Sequence, residues 1–424
     1  MNGNSQPSVN WKVSFFTIWV GQALSLLGSS LVQFALIWYL TTETGSATVL
    51  TTATLVALLP QVLLGPIAGT IVDRSNRKRL MIAADTGIAL ATLVLAALFA
   101  LGWVQIWHIY VILLSRSLGG AFHGPAFTAS TTLMVPKEHL TRVQGLNQTM
   151  YGILSLFSAP LGALLLLLLP MQGILAIDVG TALLAVTTLL FTAIPELPRR
   201  IQVEGEKKPS LWQDLRAGYF YVTSWRGLMI ILIMASLINF LLTPASALSP
   251  LLILNHFKGG APELGLFEAV FGGGVVIGGI LLGVWGGFKR RILTAMIGLV
   301  GLGLPMAIIG LIPADAFVLA LGAGFVAGIM QPIVNGSLGA TLQATVDPAM
   351  QGRVFTLLTS FATAMTPLGL LIAGPLADTL GVQTWWVVGG LLCALMGVIG
   401  VFIPSVMTLE AGRPELVTKA AEVT

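Results

Sequence analysis

Apolar residues in this chain gather in long runs separated by short polar connectors. A helix that crosses a bilayer needs about 20 predominantly apolar residues, with a range of about 17–25. Twelve runs meet that length, at 13–40, 47–72, 80–101, 105–131, 142–168, 172–194, 227–254, 263–287, 292–312, 316–342, 353–377 and 382–405. Several exceed it and are expected to tilt. One connector, 195–226, is long and charged and leaves six runs on each side. Within it, Leu211 to Phe220 reads as a short amphipathic helix lying at the membrane surface. The pattern predicts an all-α integral membrane protein of twelve transmembrane helices. Its parts are an N-terminal six-helix bundle (1–194), a cytoplasmic linker with the amphipathic helix (195–226), a C-terminal six-helix bundle (227–406) and a cytoplasmic tail (407–424).

Composition agrees. Hydrophobic residues make up 56% of the 424 and charged residues only 9%, against about 25% in soluble proteins. That charge cannot cover a water-facing surface, so lipid is the main solvent. The 48 glycines suit helices that must pack without a hydrophobic force between them. The lone cysteine, Cys393, has no internal disulfide partner and reads as a small apolar packer. Residues 1–10 are polar and uncharged and the first run is longer than a signal h-region, so no cleavable signal is expected.

Lysine and arginine set orientation. With the N-terminus inside, every Lys and Arg falls on the cytoplasmic side except Lys258, outside, and Arg116, within a span. One missed span would scramble this bias, so it predicts an N-in, C-in topology. The net charge of +4 sits mostly in short connectors and is no nucleic-acid signal. No phosphate-binding Gly-rich loop with Lys-Ser/Thr, no metal-ligand cluster and no nucleophile–base arrangement occurs, so neither cofactor, metal nor enzymatic activity is expected.

Ionisable residues inside spans are costly and default to functional candidates. Arg116 lies near the middle of span 4; its charge is permanent, so it can stabilise a neighbouring carboxylate but cannot carry a proton. Glu268, in span 8 and followed by the glycine-rich run 272–287, is the candidate proton carrier. Asp178 reads as an interhelical hydrogen-bond acceptor, and Asp85 as a partner of the nearby loop cations. Gln22, Ser25, Ser29 and Gln33 form one polar stripe on span 1, expected to face a cavity. Asn147, Asn239, Gln331 and Asn335 are further cavity candidates, each alternatively an interhelical hydrogen bond. His123 titrates in a useful range, though a histidine near a helix end is more often packed.

The most informative connector is Gly65 to Arg79. Gly65, Gly69 and Asp73 share one helical stripe, so the two glycines could admit another backbone. Arg74, Arg77, Lys78 and Arg79 follow. The stretch resembles the loop after the second helix of the major facilitator superfamily, matched at Gly69, Asp73, Arg74, Arg77 and Lys78. Asn76 stands at the usual glycine and is expected to tolerate a left-handed turn. The halves also echo each other: Gly279, Gly283, Gly287 and Lys289-Arg290-Arg291 repeat the first motif without its carboxylate, and Ala159-Pro160-Leu161-Gly162 matches Thr366-Pro367-Leu368-Gly369.

The resemblance spans about residues 12–406. It is nearest to the bacterial drug- and macrolide-efflux branch, at Gly65-Pro66, Arg116-x-x-x-Gly120 with Pro125-Ala126, Ile177-Asp178, and Pro375-Leu376-Ala377-Asp378. The branch's span-5 antiporter signature is degraded: aligned on Pro160, its glycine positions hold Ser155, Ala159, Ala163 and Leu164. The resemblance implies two six-helix pseudo-repeat bundles that rock to give alternating access. It also implies export of a small amphipathic drug or macrolide-like compound by proton antiport, with Arg116 and Glu268 in coupling. Asp73 and Arg77 would form a cytoplasmic latch with Arg353 as partner. The expected setting is the bacterial inner membrane, as a monomer. The alternative is a lipid or lysolipid flippase or a siderophore exporter on the same fold. A proton-coupled nutrient importer ranks below, because its cavity usually holds more paired charge.

Overall fold

A computed structural model of the chain describes residues 11–195 and 211–412. The linker charges Glu196, Arg199, Arg200, Glu204, Glu206, Lys207 and Lys208, and the tail's Arg413 and Lys419, lie outside the described residues. Among the described residues there is no strand. The helices are α1 (Trp11–Thr44), α2 (Ala47–Arg74), α3 (Arg77–Ala100), α4 (Ile106–Met134), α5 (Leu140–Leu168), α6 (Met171–Phe191), α7 (Leu211–Thr223), α8 (Arg226–Ala247), the short α9 (Ser249–Leu251), α10 (Ala261–Trp285), α11 (Arg291–Leu311), α12 (Phe317–Thr345), α13 (Pro348–Leu380), α14 (Val382–Phe402) and α15 (Pro404–Met407).

Twelve of these have 21 residues or more. They coincide with the twelve predicted runs. Eleven are long and apolar enough to cross a membrane; α4 is not among them. Its central stretch from Ser115 to His123 interrupts the apolar run. Large apolar side chains such as Phe191, Val284 and Phe402 stand out from the helices at 78–88% exposure. In water that surface would aggregate, whereas lipid is its natural solvent.

The chain divides into two compact units. Among the described residues, the first holds 11–44, 53–195 and 264–266; the second holds 45–52, 211–263 and 267–412. In the first, α1 packs on α5 and α6, and α3 on α4 and α6. Phe15, Ile18, Met81, Phe127 and Leu189 form its apolar centre near one end. In the second, α11 packs against α12 and α14, and α13 against α7 and α8. The predicted amphipathic segment is helical, but it is not a free surface helix. Gly218 sits against the Arg353 backbone at the start of α13, and Val222 and Trp225 enter the second unit's core. Cys393 is buried there too, beside the Leu299 carbonyl.

Small residues bring helices of the second unit into backbone contact. Gly274 lies on the Phe325 carbonyl, Gly278 on the Ile329 carbonyl, and Gly328 on the Phe271 carbonyl, locking α10 to α12. Gly303 and Gly390 do the same for α11 and α14. A methyl group at Gly278 would meet a carbonyl that cannot rotate away. We expect Gly278→Ala to cost about 1–3 kcal/mol, as overpacking does, visible as a lower midpoint in thermal unfolding in detergent.

The predicted close-packing glycines in the loop motif behave differently. Among the described residues, nothing lies within 4 Å of where a Cβ would sit on Gly65, Gly69, Gly279 or Gly283. Gly287 is not on a helical stripe at all. α10 ends at Trp285, and Gly286 and Gly287 have φ of 75° and 83°. Glycine is required there because an L side chain at positive φ is strained.

Candidate functional site

Three helices of the first unit each contribute two polar residues seven apart: Gln22 and Ser29 on α1, Asp85 and Thr92 on α3, Arg116 and His123 on α4. Seven residues is two turns, so each pair stays on one face. α4 runs antiparallel to α1 and α3. Arg116 therefore meets Ser29 and Thr92, while His123 meets the level of Gln22 and Asp85. The result is two polar layers about 10 Å apart along the helices.

The first layer is closed. Arg116 Nη1 donates to Asp178 Oδ2 at 2.6 Å and to Thr92 Oγ1 at 3.1 Å, and Nη2 donates to the Ser29 carbonyl at 3.1 Å. Asp178, from α6, also accepts from Ser29 Oγ at 3.1 Å and Thr92 Oγ1 at 3.3 Å. The Arg116 and Asp178 side chains are 9% and 1% exposed. Charges this deep survive only when paired and hydrogen-bonded. The interhelical-acceptor reading of Asp178 is met: it takes bonds from α1, α3 and α4 at once.

The second layer corrects the reading of Asp85. It does not reach the loop cations. Gln22 Nε2 donates to Asp85 Oδ2 at 3.0 Å, and His123 Nε2 lies 3.3 Å from Oδ1. Six residues separate Asp85 from Arg79, more than one and a half turns, and Arg79 is exposed. Gln22, counted among the cavity residues, is 1% exposed with its amide on this carboxylate. The span-1 stripe therefore turns two of its four members, Gln22 and Ser29, to buried carboxylates of its own unit. The signal for both layers was in the sequence, as the shared spacing of seven on three runs.

The other candidates are scattered. Asn147 Oδ1 accepts from Trp19 Nε1 at 2.8 Å. Asn239 donates to the Ala235 carbonyl of its own helix at 3.0 Å. Gln33 and Gln331 are half-buried and Asn335 is exposed. Glu268, two turns into α10, is half-buried. In α5, Ala159 and Ala163 are buried, and the backbone of Gly265 rests on Ala163 and the Ala159 carbonyl. Small residues at the degraded antiporter signature thus keep a close crossing there, while Ser155 and Leu164 are exposed.

In the loop motif, Asp73 and Arg74 end α2 and Arg77 begins α3. Lys78 Nζ donates to the Leu190 and Thr192 carbonyls, each at 3.0 Å. A cation there satisfies the free carbonyls and the negative end of α6. Asn76 corrects another expectation: its φ is −70° and ψ 108°, extended and not left-handed, and its Oδ1 accepts from the Arg79 N–H as the N-cap of α3. Asn is a favoured N-cap residue because its side-chain oxygen accepts from a free amide of the first helical turn. Arg353, on α13, directs Nη1 to Met350 Sδ.

Asp378, near the end of α13, has a role that its position at the end of an apolar run does not signal. Its carboxylate accepts from the Ala47 N–H at 2.6 Å, the Thr48 N–H at 3.0 Å and Ser46 Oγ at 3.1 Å. It thus caps the first turn of α2, which belongs to the second unit. Asp378→Ala is expected to cost about 1 kcal/mol as cap losses do. The amides of Ala47 and Thr48 should then exchange faster with deuterium.

Long apolar helices that enclose a paired charge and expose many large apolar side chains define a multi-pass membrane protein. A profile described as the Major Facilitator Superfamily matches residues 18–362, and the chain belongs to that superfamily: it is a transporter, not an enzyme. It is 35% identical over 401 residues to macrolide efflux protein A of Streptococcus pyogenes, covering 95% of this chain and 98% of that one. It is 25% identical over 399 residues to the multidrug efflux pump Tap of Mycolicibacterium fortuitum, covering 91% and 95%. A crystal structure of the nucleoside transporter NupG has the same fold, with a TM-score of 0.69 at 15% identity, covering 92% and 98%.

Proposed function

We propose that this protein exports macrolides and related amphipathic drugs from bacteria by proton antiport. The observation that carries this reading is the 35% identity to macrolide efflux protein A across nearly the full length of both chains. In this account the protein crosses the bacterial inner membrane twelve times with both ends in the cytoplasm, and two bundles alternate access to a site between them. Arg116 and Asp178 hold the N-terminal bundle rigid. Glu268 carries the proton, a role supported by its having no hydrogen-bond or ion-pair partner among the described residues. Gln33, Asn147, Asn239, Gln331 and Asn335 supply polar contacts to the substrate, and Gln22 orients Asp85 behind them. Asp73 and Arg77 form a cytoplasmic latch with Arg353 in one state only, which is what biases a two-state equilibrium. The protein works as a monomer without metal or cofactor.

Expression in a macrolide-sensitive bacterium tests the direction. Cells should accumulate less erythromycin than controls, and a protonophore should abolish the difference. Equal accumulation in cells shown to contain folded protein would count against export.

A further inference from the structure

The two layers of the first unit have the same construction and differ in one chemical respect. In one, the cation opposite the carboxylate is a guanidinium, which stays protonated. In the other it is an imidazole, which does not. The Arg116–Asp178 layer therefore has a fixed net charge of zero. The layer of Gln22, Asp85 and His123 holds one negative charge without an added proton and none with one. Both Asp85 and His123 are largely enclosed, at 6% and 12% side-chain exposure. An unbalanced charge at such a site is costly. His123 Nε2 is also buried, and although it approaches Asp85 Oδ1 to 3.3 Å it has no hydrogen-bond partner among the described residues.

We propose that Asp85 and His123, with Gln22 orienting the carboxylate, form a second proton-binding site inside the first unit. One proton enters from water, making an imidazolium–carboxylate pair, and returns to water on release. This deepens the proton-coupled reading above and rests on it for the use to which the proton is put. Few other charges bear on the site. On the helices packed around it, Arg116 and Asp178 are committed to each other in the first layer. Arg77, Lys78 and Arg79 stand at the start of α3, and Lys78 is bonded to carbonyls after α6. Among the described residues, α1 presents the neutral Gln22 to the carboxylate, and the amide of the neutral Gln61 on α2 lies near Gly120, one turn away. His123 also stacks on Phe127, with ring centroids 6.4 Å apart and planes 9° apart, so the ring is held in place whichever charge it carries.

The test is a titration of the ring itself. The full chain, labelled with nitrogen-15 at histidine and reconstituted in lipid nanodiscs, is followed by NMR from about pH 5 to 9. The His123 signals are those missing from His123→Gln. They should pass from protonated to neutral form as the pH rises through this range, and Asp85→Asn should displace the midpoint by about one pH unit or more, a tenfold change in proton affinity. Should Asp85→Asn fail to fold, Gln22→Leu keeps both titratable groups and should also displace it. A ring that holds one protonation state across the range, or a midpoint indifferent to both substitutions, would overturn the proposal. Erythromycin uptake by wild-type protein in liposomes separates the two readings. Titration without uptake sinks the efflux reading and leaves this site standing. Uptake without titration sinks this site alone.

Discussion

Arg116→Ala is expected to be among the most damaging single substitutions in the chain. It leaves Asp178, 1% exposed, ionised and without its counter-charge, with only two hydroxyls to solvate it. Breaking a buried ion pair by removing one partner costs about 3–5 kcal/mol. Asp178→Ala should cost a comparable amount, because it strands a guanidinium that cannot discharge. Removing both charges together is different. The pair Arg116→Met with Asp178→Leu should recover most of the loss, since apolar replacement of a buried pair is often neutral or better. Thermal unfolding of the two single variants and the double variant in detergent would measure the coupling. If the single substitutions are mild, the layer is wetter than its exposure implies and its structural role falls. If the double variant is stable yet transports nothing, Arg116 serves the transport cycle as well as the fold.

Glu268→Gln should have an equally large effect of a different kind. The glutamine matches the carboxyl in size and polarity but cannot give up a proton. Accumulation of drug driven by a pH gradient should vanish, whereas exchange of labelled for unlabelled drug down its own gradient should continue. Stability should change little, because Glu268 holds no partner whose loss would matter. Normal gradient-driven accumulation in this variant would remove Glu268 as the carrier and direct attention to Asp85 and His123.

Why some of this could be read from the sequence and some could not follows from the physics of each signal. Spans are set by length and hydropathy, which are local, so all twelve long helices were legible, including α4 despite Arg116 in its middle. Asp178 was legible as an acceptor because a carboxylate inside an apolar run must be satisfied by neighbours. Its particular partner was not, since Arg116 is 62 positions away in the chain. The same limit hides the partners of Asp85. Sequence proximity favoured Arg79, but helical geometry carries Asp85 past the loop to His123, 38 positions on. The loop glycines are marked in the sequence by spacing alone. Spacing says that a backbone could approach, not that one does, and the glycines used for close approach are Gly274, Gly278 and Gly328 instead. Asn76 stands where the family pattern has glycine, but its side chain caps α3 instead.

Uptake of radiolabelled erythromycin into inside-out membrane vesicles tests proton-coupled export. With an acid interior imposed, vesicles containing the protein should accumulate the drug, and a protonophore should collapse that accumulation to the level of empty vesicles. Uptake that ignores the pH gradient, or none at all in vesicles shown to hold folded protein, would contradict proton-driven macrolide efflux.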